Sequence, residues 1–277
     1  MPRADAPLLN RLNHGLREAL TPIGRVNRQK ERAIEKTLPS TVSIITLGPD
    51  RGQGGSMEIG SGFAVATISA GVNKPREVIL ATNKHVVDHY NEDTEGLLKL
   101  FVVTSGASGG VRDESRKQEF VNAQVAHVSS RHDLAFLRLS LAEHPEVNLP
   151  PLKLGHSTLV DAPDTLLSIG APLGTQDTVT ELQVSQNNLT EVESEEGVDL
   201  YRQISITNPG MSGGALIDPL FAGLFARPTV VGMPTLGAQN NPTQGYMLPA
   251  EVIQEELHLF LAKEQARMGG RRTFITA

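Results

Sequence analysis

From Thr41 onward the hydrophobic positions fall in short runs separated by turn-forming residues. Strands are predicted at TVSIITL, SGFAVATI, EVILATN, LKLFVVTS, FVNAQVAHV and DLAFLRLS. A second group follows at TLLSIGAP, VTELQVSQ, LYRQISIT, GGALID, TVVGMPTL and GYMLP. Two groups of six strands with no helices between them exclude a βαβ architecture and predict an all-β fold of two six-stranded antiparallel β-barrels. The stretch HPEVNLPPLKLGHS, with Pro150 and Pro151, marks the crossing between the groups.

Helical patterns flank this β-rich body. Within residues 8–38, Leu9, Leu12, Leu16 and Leu20 recur three and four apart, and Pro22 interrupts or restarts the helix. PAEVIQEELHLFLAKEQARM sets Val252, Leu257, Leu259, Phe260 and Leu261 in a helical pattern that Gly269 and Gly270 end. The expected organisation is an N-terminal helical extension over 1–40 and one domain over 41–268, followed by a short basic tail over 269–277. Within the domain, barrel one covers about 41–145, barrel two about 150–249 and a C-terminal helix about 250–268. The first helix is expected to pack on the back of the domain; self-association or a regulatory partner through residues 1–40 is the alternative.

Composition narrows the classes. The 277 residues include no cysteine, which removes disulfide scaffolds, thiol nucleophiles and thiolate zinc sites. A net charge of -6 argues against nucleic acid as a partner. No window approaches a membrane span. The opening MPRADAPLLNRLNHGLREAL is broken by Asn10, Arg11, Asn13 and His14 where a secretory signal needs an apolar core, so a cytoplasmic location is expected. Arg3, Arg11, Arg17, Arg25 and Arg28 against Asp5 and Glu18 leave a transit peptide as the alternative.

Candidate chemistry centres on TNPGMSGGAL, in which Ser212 sits among glycines after an Asn-Pro-Gly turn. Such glycines allow close backbone approach and leave N–H groups free to meet an oxyanion, although they also suit an ordinary tight bend. A serine nucleophile needs a base. Of the eight histidines, His85 stands at the end of a hydrophobic strand, where a rigid side chain can face a cleft. Asp133 heads the apolar strand DLAFLRLS, as a turn cap or as the carboxylate that orients an imidazole. Taken together, His85 and Asp133 fall in the first strand group and Ser212 in the second, which places a shared site in the cleft between two barrels.

On these residues the chain resembles the chymotrypsin-like (trypsin-fold) serine peptidases, and most nearly their disulfide-free HtrA/Deg-like bacterial branch. GSGFAVA, ILATNKHVV, HDLAFLRL, IGAPLG, NPGMSGGAL, VVGMPT and GYMLPAEVI carry the resemblance in order, from about Thr41 to Leu261. It implies a serine endopeptidase acting on polypeptides without metal or cofactor, with His85, Asp133 and Ser212 as the triad and the amides of Gly210 and Ser212 as the oxyanion hole. It also implies a first specificity pocket formed by Ile206, Thr207 and Met233. None of these is charged, so a small or medium apolar P1 residue is expected. Met211 departs from the family's Asn or Asp before the serine, which rules out activation through a salt bridge to a new N-terminus and keeps a silent, peptide-binding pseudo-peptidase as the alternative. About sixteen residues follow Leu261, too few for a PDZ domain. The G-x-S-x-G elbow of α/β-hydrolases fits GMSGG but demands a later catalytic histidine, and only His258, on the last helix, follows. His85 and His89 lack a third zinc ligand, and EVESEEG lacks a calcium-loop pattern, reading instead as a hairpin tip.

Overall fold

The computed structural model describes residues 22–47, 57–69, 76–87, 99–104, 119–142, 147–170, 178–194, 197–205, 210–219, 228–237, 244–267 and 274–276. A helix, Pro22–Thr37, leads into the first strand group: β1 (Thr41–Leu47), β2 (Met57–Ser69), β3 (Arg76–Thr82), β4 (Lys99–Thr104), β5 (Glu119–Asn122), β6 (Gln124–Val128) and β7 (Ala135–Ser140). The second group comprises β8 (Lys153–Leu154), β9 (Thr165–Gly170), β10 (Thr178–Ser194), β11 (Gly197–Ser205), β12 (Ala215–Ile217), β13 (Thr229–Gly237) and β14 (Gln244–Pro249). The C-terminal helix Ala250–Arg267 and a last short strand, β15 (Phe274–Thr276), complete the chain.

The first sheet runs β5-β4-β1-β2-β3-β7-β6, with β15 added against β2, and the second runs β12-β9-β10-β11-β14-β13-β8. Because β12 also pairs with β13, six strands of the second sheet close on themselves as a barrel, with β8 appended in parallel to β13. In the first sheet the run FVNAQVAHV splits at Ala123 into β5 and β6, which end the pairing path on opposite sides. That split, β8 and β15 account for the sheets having eight and seven strands rather than six each. The basic tail also differs from expectation, since residues 274–276 pair with Ser69, Ile68 and Thr67.

The strands read as continuous apolar runs because both of their faces are buried. Side chains alternate across a strand, and here each face meets a different core. In β3, Val78 and Leu80 join a core within the first sheet, while Ile79 and Ala81 enter a core shared by both sheets. In β9, Leu166 lies in the second sheet's own core, whereas Leu167 and Ile169 face the shared one. The shared core takes Phe63 and Phe136 from the first sheet, Ala215, Ile217, Met233 and Leu248 from the second, and Ile253, Leu257, Phe260 and Leu261 from the C-terminal helix. That helix buries Ala250, Ile253, Leu257, Phe260 and Leu261 at spacings of three and four, leaving Leu259 53% exposed, contrary to the sequence pattern. Its acidic residues tie it down on both sides. Glu256 meets His127 of β6 and Ser129 just after that strand, and Glu251 accepts from the amide and hydroxyl of Ser157.

The helix Pro22–Thr37 and the turn after it pack against the shared core. Ala33 is fully buried in the shared core, with Ile34 and Leu38 against it, and Lys30 pairs with Glu181 of β10 at 2.7 Å. Leu9, Leu12, Leu16 and Leu20 lie outside the described residues. No helix among the described residues is long and apolar enough to cross a membrane.

Candidate active site

His85 is carried by a single 3-10 turn, Lys84–Val86, that follows β3. The turn is anchored from beneath: Val86 and Val87 are buried, and the Thr46 hydroxyl donates to the Val86 carbonyl at 2.9 Å. With its neighbours held in the core, the imidazole is left 37% exposed at the sheet rim.

Asp133 immediately precedes Leu134 and β7, on a loop fastened by its own hydrogen bonds. The amides of Arg131 and His132 donate to Ser129 Oγ, which itself donates to Glu256 of the C-terminal helix. Asn83 Nδ2 donates to the Asp133 carbonyl at 2.9 Å, joining this loop to the segment that carries the histidine. The carboxylate then meets His85 twice. Oδ2 stands 2.8 Å from His85 Nδ1, and Oδ1 accepts the His85 backbone amide at 3.0 Å. A further donor comes from the second sheet, where the hydroxyl of Thr235 on β13 donates to Oδ2.

Burial pushes the Asp133 pKa up, but the hydrogen bond and charge of His85 pull it down, as do the Thr235 hydroxyl and the His85 amide. The carboxyl therefore titrates below its ordinary range. An ionised carboxylate only accepts, so the proton on the His85 ring belongs on Nδ1 and Nε2 is the unprotonated nitrogen.

Ser212 lies on the loop that enters β12. Gly210 and Gly213 have φ values of 86° and 83°, the left-handed region in which a side chain is strained. Gly213 is also packed too tightly for one, since an added Cβ would stand 2.1 Å from the Ser61 carbonyl oxygen. Gly213→Ala is therefore expected to destabilise the fold by about 2 kcal/mol or more. A lowered denaturation midpoint at unchanged m-value would show it.

The carbonyls of Gly210, Met211 and Ser212 each accept a hydrogen bond. Ser61 Oγ donates to the Gly210 carbonyl, Gly214 N to that of Met211, and Ser61 N to that of Ser212, at 2.8, 2.9 and 2.8 Å. Among the described residues, the amides of Gly210 and Ser212 have no acceptor. Met211, between them, is fully buried, and a methyl group placed on Gly170 would lie 3.5 Å from its Cε. An apolar anchor thus occupies the position where a zymogen-type acid would need a cationic partner.

The structure brings His85 and Asp133 into direct contact and holds the Ser212 loop against β2 of the same sheet. It does not join Ser212 Oγ to a hydrogen-bond partner among the described residues. Met233 is fully buried in the shared core, and Ile206 and Thr207 lie outside the described residues. Sequence reasoning missed Ser61, Asn83 and Thr235. The only available signal was their polarity at the ends or in the middle of otherwise apolar strands. No group of three or more His, Cys, Asp or Glu residues able to hold a metal ion occurs among the described residues.

The chain is 25% identical over 209 residues to serine protease HTRA3 of Rattus norvegicus, covering 74% of this chain and 40% of that protein. It is 29% identical over 195 residues to Protease Do-like 8, chloroplastic, of Arabidopsis thaliana, covering 66% and 39%. The match thus spans about two fifths of the length of these relatives. Among solved structures, Deg5 superposes with a TM-score of 0.59 at 21% identity, covering 83% of this chain and 92% of that one. The HtrA-type protease AlgW with decapeptide gives a TM-score of 0.55 at 22% identity, covering 84% and 67%. The profile of the family described as "Trypsin-like peptidase domain" matches residues 60–221, more than half of the chain, which therefore belongs to that family.

Proposed function

We propose that the chain is a serine endopeptidase that cleaves polypeptides through an acyl-enzyme, with His85, Asp133 and Ser212 as its triad. One observation carries the reading. The His85–Asp133 pair, oriented for Nε2 to accept a proton, belongs to the first sheet, and that same sheet grips the loop from the second whose serine stands with two amides that have no acceptor among the described residues. The two sheets are read as the barrel pair of the trypsin fold, with the site at their junction.

Ser212 Oγ attacks the scissile carbonyl carbon while His85 Nε2 takes its proton. The carbonyl oxygen, now an oxyanion, is met by the Gly210 and Ser212 amides. Collapse of the tetrahedral intermediate breaks the C–N bond, and the imidazolium returns the proton to the leaving amine. Water then repeats the sequence on the ester, releasing the acid and restoring the serine. Asp133 keeps Nδ1 protonated throughout and stabilises the transient imidazolium. Serine–histidine hydrogen bonds are often long until substrate is bound, so a Ser212 hydroxyl without a partner among the described residues is compatible with this sequence of steps.

A fluorophosphonate probe tests the reading directly. The expected result is a single adduct on Ser212, and absence of any adduct on the folded chain would refute the proposal. For specificity, Ile206, Thr207 and Met233 supply no countercharge, so a basic P1 side chain would be desolvated without compensation. Cleavage of a peptide library is expected after Val, Ala, Leu or Met. A preference for Arg or Lys would overturn this pocket assignment while leaving the triad untouched.

A further inference from the structure

Ser61 sits in the middle of β2, fully buried, directly across from Ser43 of β1. Its amide and its hydroxyl both reach the loop that carries Ser212. Its amide donates to the Ser212 carbonyl at 2.8 Å and its hydroxyl to the Gly210 carbonyl at 2.8 Å. Its own carbonyl accepts the hydroxyl of Thr82, three residues before His85, at 2.7 Å. Gly213 closes over that carbonyl, and a Cβ on Gly170 would stand 2.5 Å from Ser61 Oγ, so the side chain has little room to turn.

The hydroxyl contact matters because of where Gly210 stands in the loop. The Ser212 amide belongs to the 211–212 peptide plane, and the 210–211 plane lies between it and the Gly210 amide. The Gly214 amide fixes the 211–212 plane through the Met211 carbonyl. Ser61 Oγ fixes the 210–211 plane through the Gly210 carbonyl. Gly210 has no Cβ and a φ of 86°, so without that bond its backbone is free to rotate and carry its N–H away from the oxyanion position.

We propose that Ser61 is a positioning residue for the oxyanion-binding loop: its hydroxyl, supplied by the sheet that carries His85, holds Gly210 in the conformation that presents its amide to the developing negative charge. The proposal rests on the peptidase reading above and assigns one part of that site to a residue that touches no substrate atom.

The test is Ser61→Ala in the full chain, with Ser43→Ala as the control. Ser43 is equally buried on the neighbouring strand, and its hydroxyl has no hydrogen-bond partner among the described residues, so its removal isolates the general effect of deleting a buried serine oxygen here. Three measurements are needed: kcat and KM on a peptide substrate, affinity for a peptide boronate that forms a tetrahedral serine adduct, and affinity for the matching uncleavable peptide. Losing an oxyanion donor outright lowers kcat about 10²–10³-fold, so loosening one by loss of its anchor is expected to lower kcat about 10- to 100-fold. KM and affinity for the uncleavable peptide should stay within about twofold, and boronate affinity should fall in parallel with kcat, while Ser43→Ala resembles the parent.

A Ser61→Ala enzyme with parental kcat would overturn the proposal. So would equal losses of boronate and uncleavable-peptide binding, or an equal loss of kcat in Ser43→Ala. If Ser61→Ala does not fold, Thr82→Val, which removes the support beneath Ser61, takes its place with the same pattern expected at smaller size. A parent chain that neither cleaves nor takes up the fluorophosphonate refutes the peptidase reading itself. A labelled, active parent with an unaffected Ser61→Ala refutes only the role given to Ser61.

Discussion

Ser212→Ala is expected to lower kcat by about four to six orders of magnitude while leaving the fold as stable as the parent's. The two halves of this expectation have separate origins. The activity loss follows from removing the atom that forms the ester, which neither His85 nor the Gly210 and Ser212 amides can replace. The unchanged stability follows from how the loop is held. Its anchors are the carbonyls of Gly210, Met211 and Ser212, together with the buried Met211 side chain, and none of them involves the Ser212 hydroxyl. That hydroxyl has no hydrogen-bond partner among the described residues, so deleting it removes no contact and should change stability by less than about 0.5 kcal/mol. Peptide turnover and a denaturation curve on the same preparation check both halves. Retained turnover in a folded variant would end the assignment of the nucleophile. A large drop in the midpoint would instead show that Ser212 is a structural residue of the bend, the reading that glycine-rich serine loops always leave open.

The parts of the fold legible in the sequence are those set by local pattern. β1 has the boundaries predicted for TVSIITL, and the chain order of apolar runs and turns matches that of the two sheets. What escaped is what depends on contact between distant segments. β8 has two residues and exists only because the chain passes beside β13, and β15 forms because β2 is long enough to receive it. Periodicity also misjudged one helical position. Leu259 carries the same apolar signal as Leu257 and Phe260, but the helix turns it to solvent and buries Ile253 instead.

The site divides along the same line. His85, Asp133 and Ser212 were readable because each sits in a short stretch whose neighbours constrain it: a strand end, a strand head and a glycine-rich bend. Thr235 and Ser61 were not, because their work is to reach across from one sheet to the other, and no local spacing encodes that reach. Thr235 in particular looks like one more β-branched residue of β13, yet its hydroxyl completes the shell of a carboxylate on the opposite sheet.

That shell bears on the second large effect. Asp133→Asn is expected to lower kcat/KM by about 10⁴-fold near neutral pH. The carboxylate accepts at both oxygens, from His85 Nδ1 and the Thr235 hydroxyl at Oδ2 and from the His85 amide at Oδ1. A carboxamide has one oxygen to accept with and one nitrogen that can only donate. The His85 amide, held by its 3-10 turn, and the Thr235 hydroxyl both require acceptors. If the carboxamide oxygen serves the amide, its NH₂ group faces His85 Nδ1 and selects the tautomer with the proton on Nε2, which cannot take a proton from Ser212. The same substitution carries a pH signature in stability. The Asp133 pKa is lowered on folding, so the stabilisation from ionising this group is fully present above the unfolded value of about 3.9 and is lost as pH falls through the lower folded value. The parent should therefore exceed Asp133→Asn in stability at neutral pH, with the gap narrowing below about pH 4. Denaturation midpoints of the two proteins across that range check the sign. A gap that widens toward acid would mean that burial outweighs His85 and Thr235, and that the carboxyl prefers to be neutral where the mechanism needs it charged.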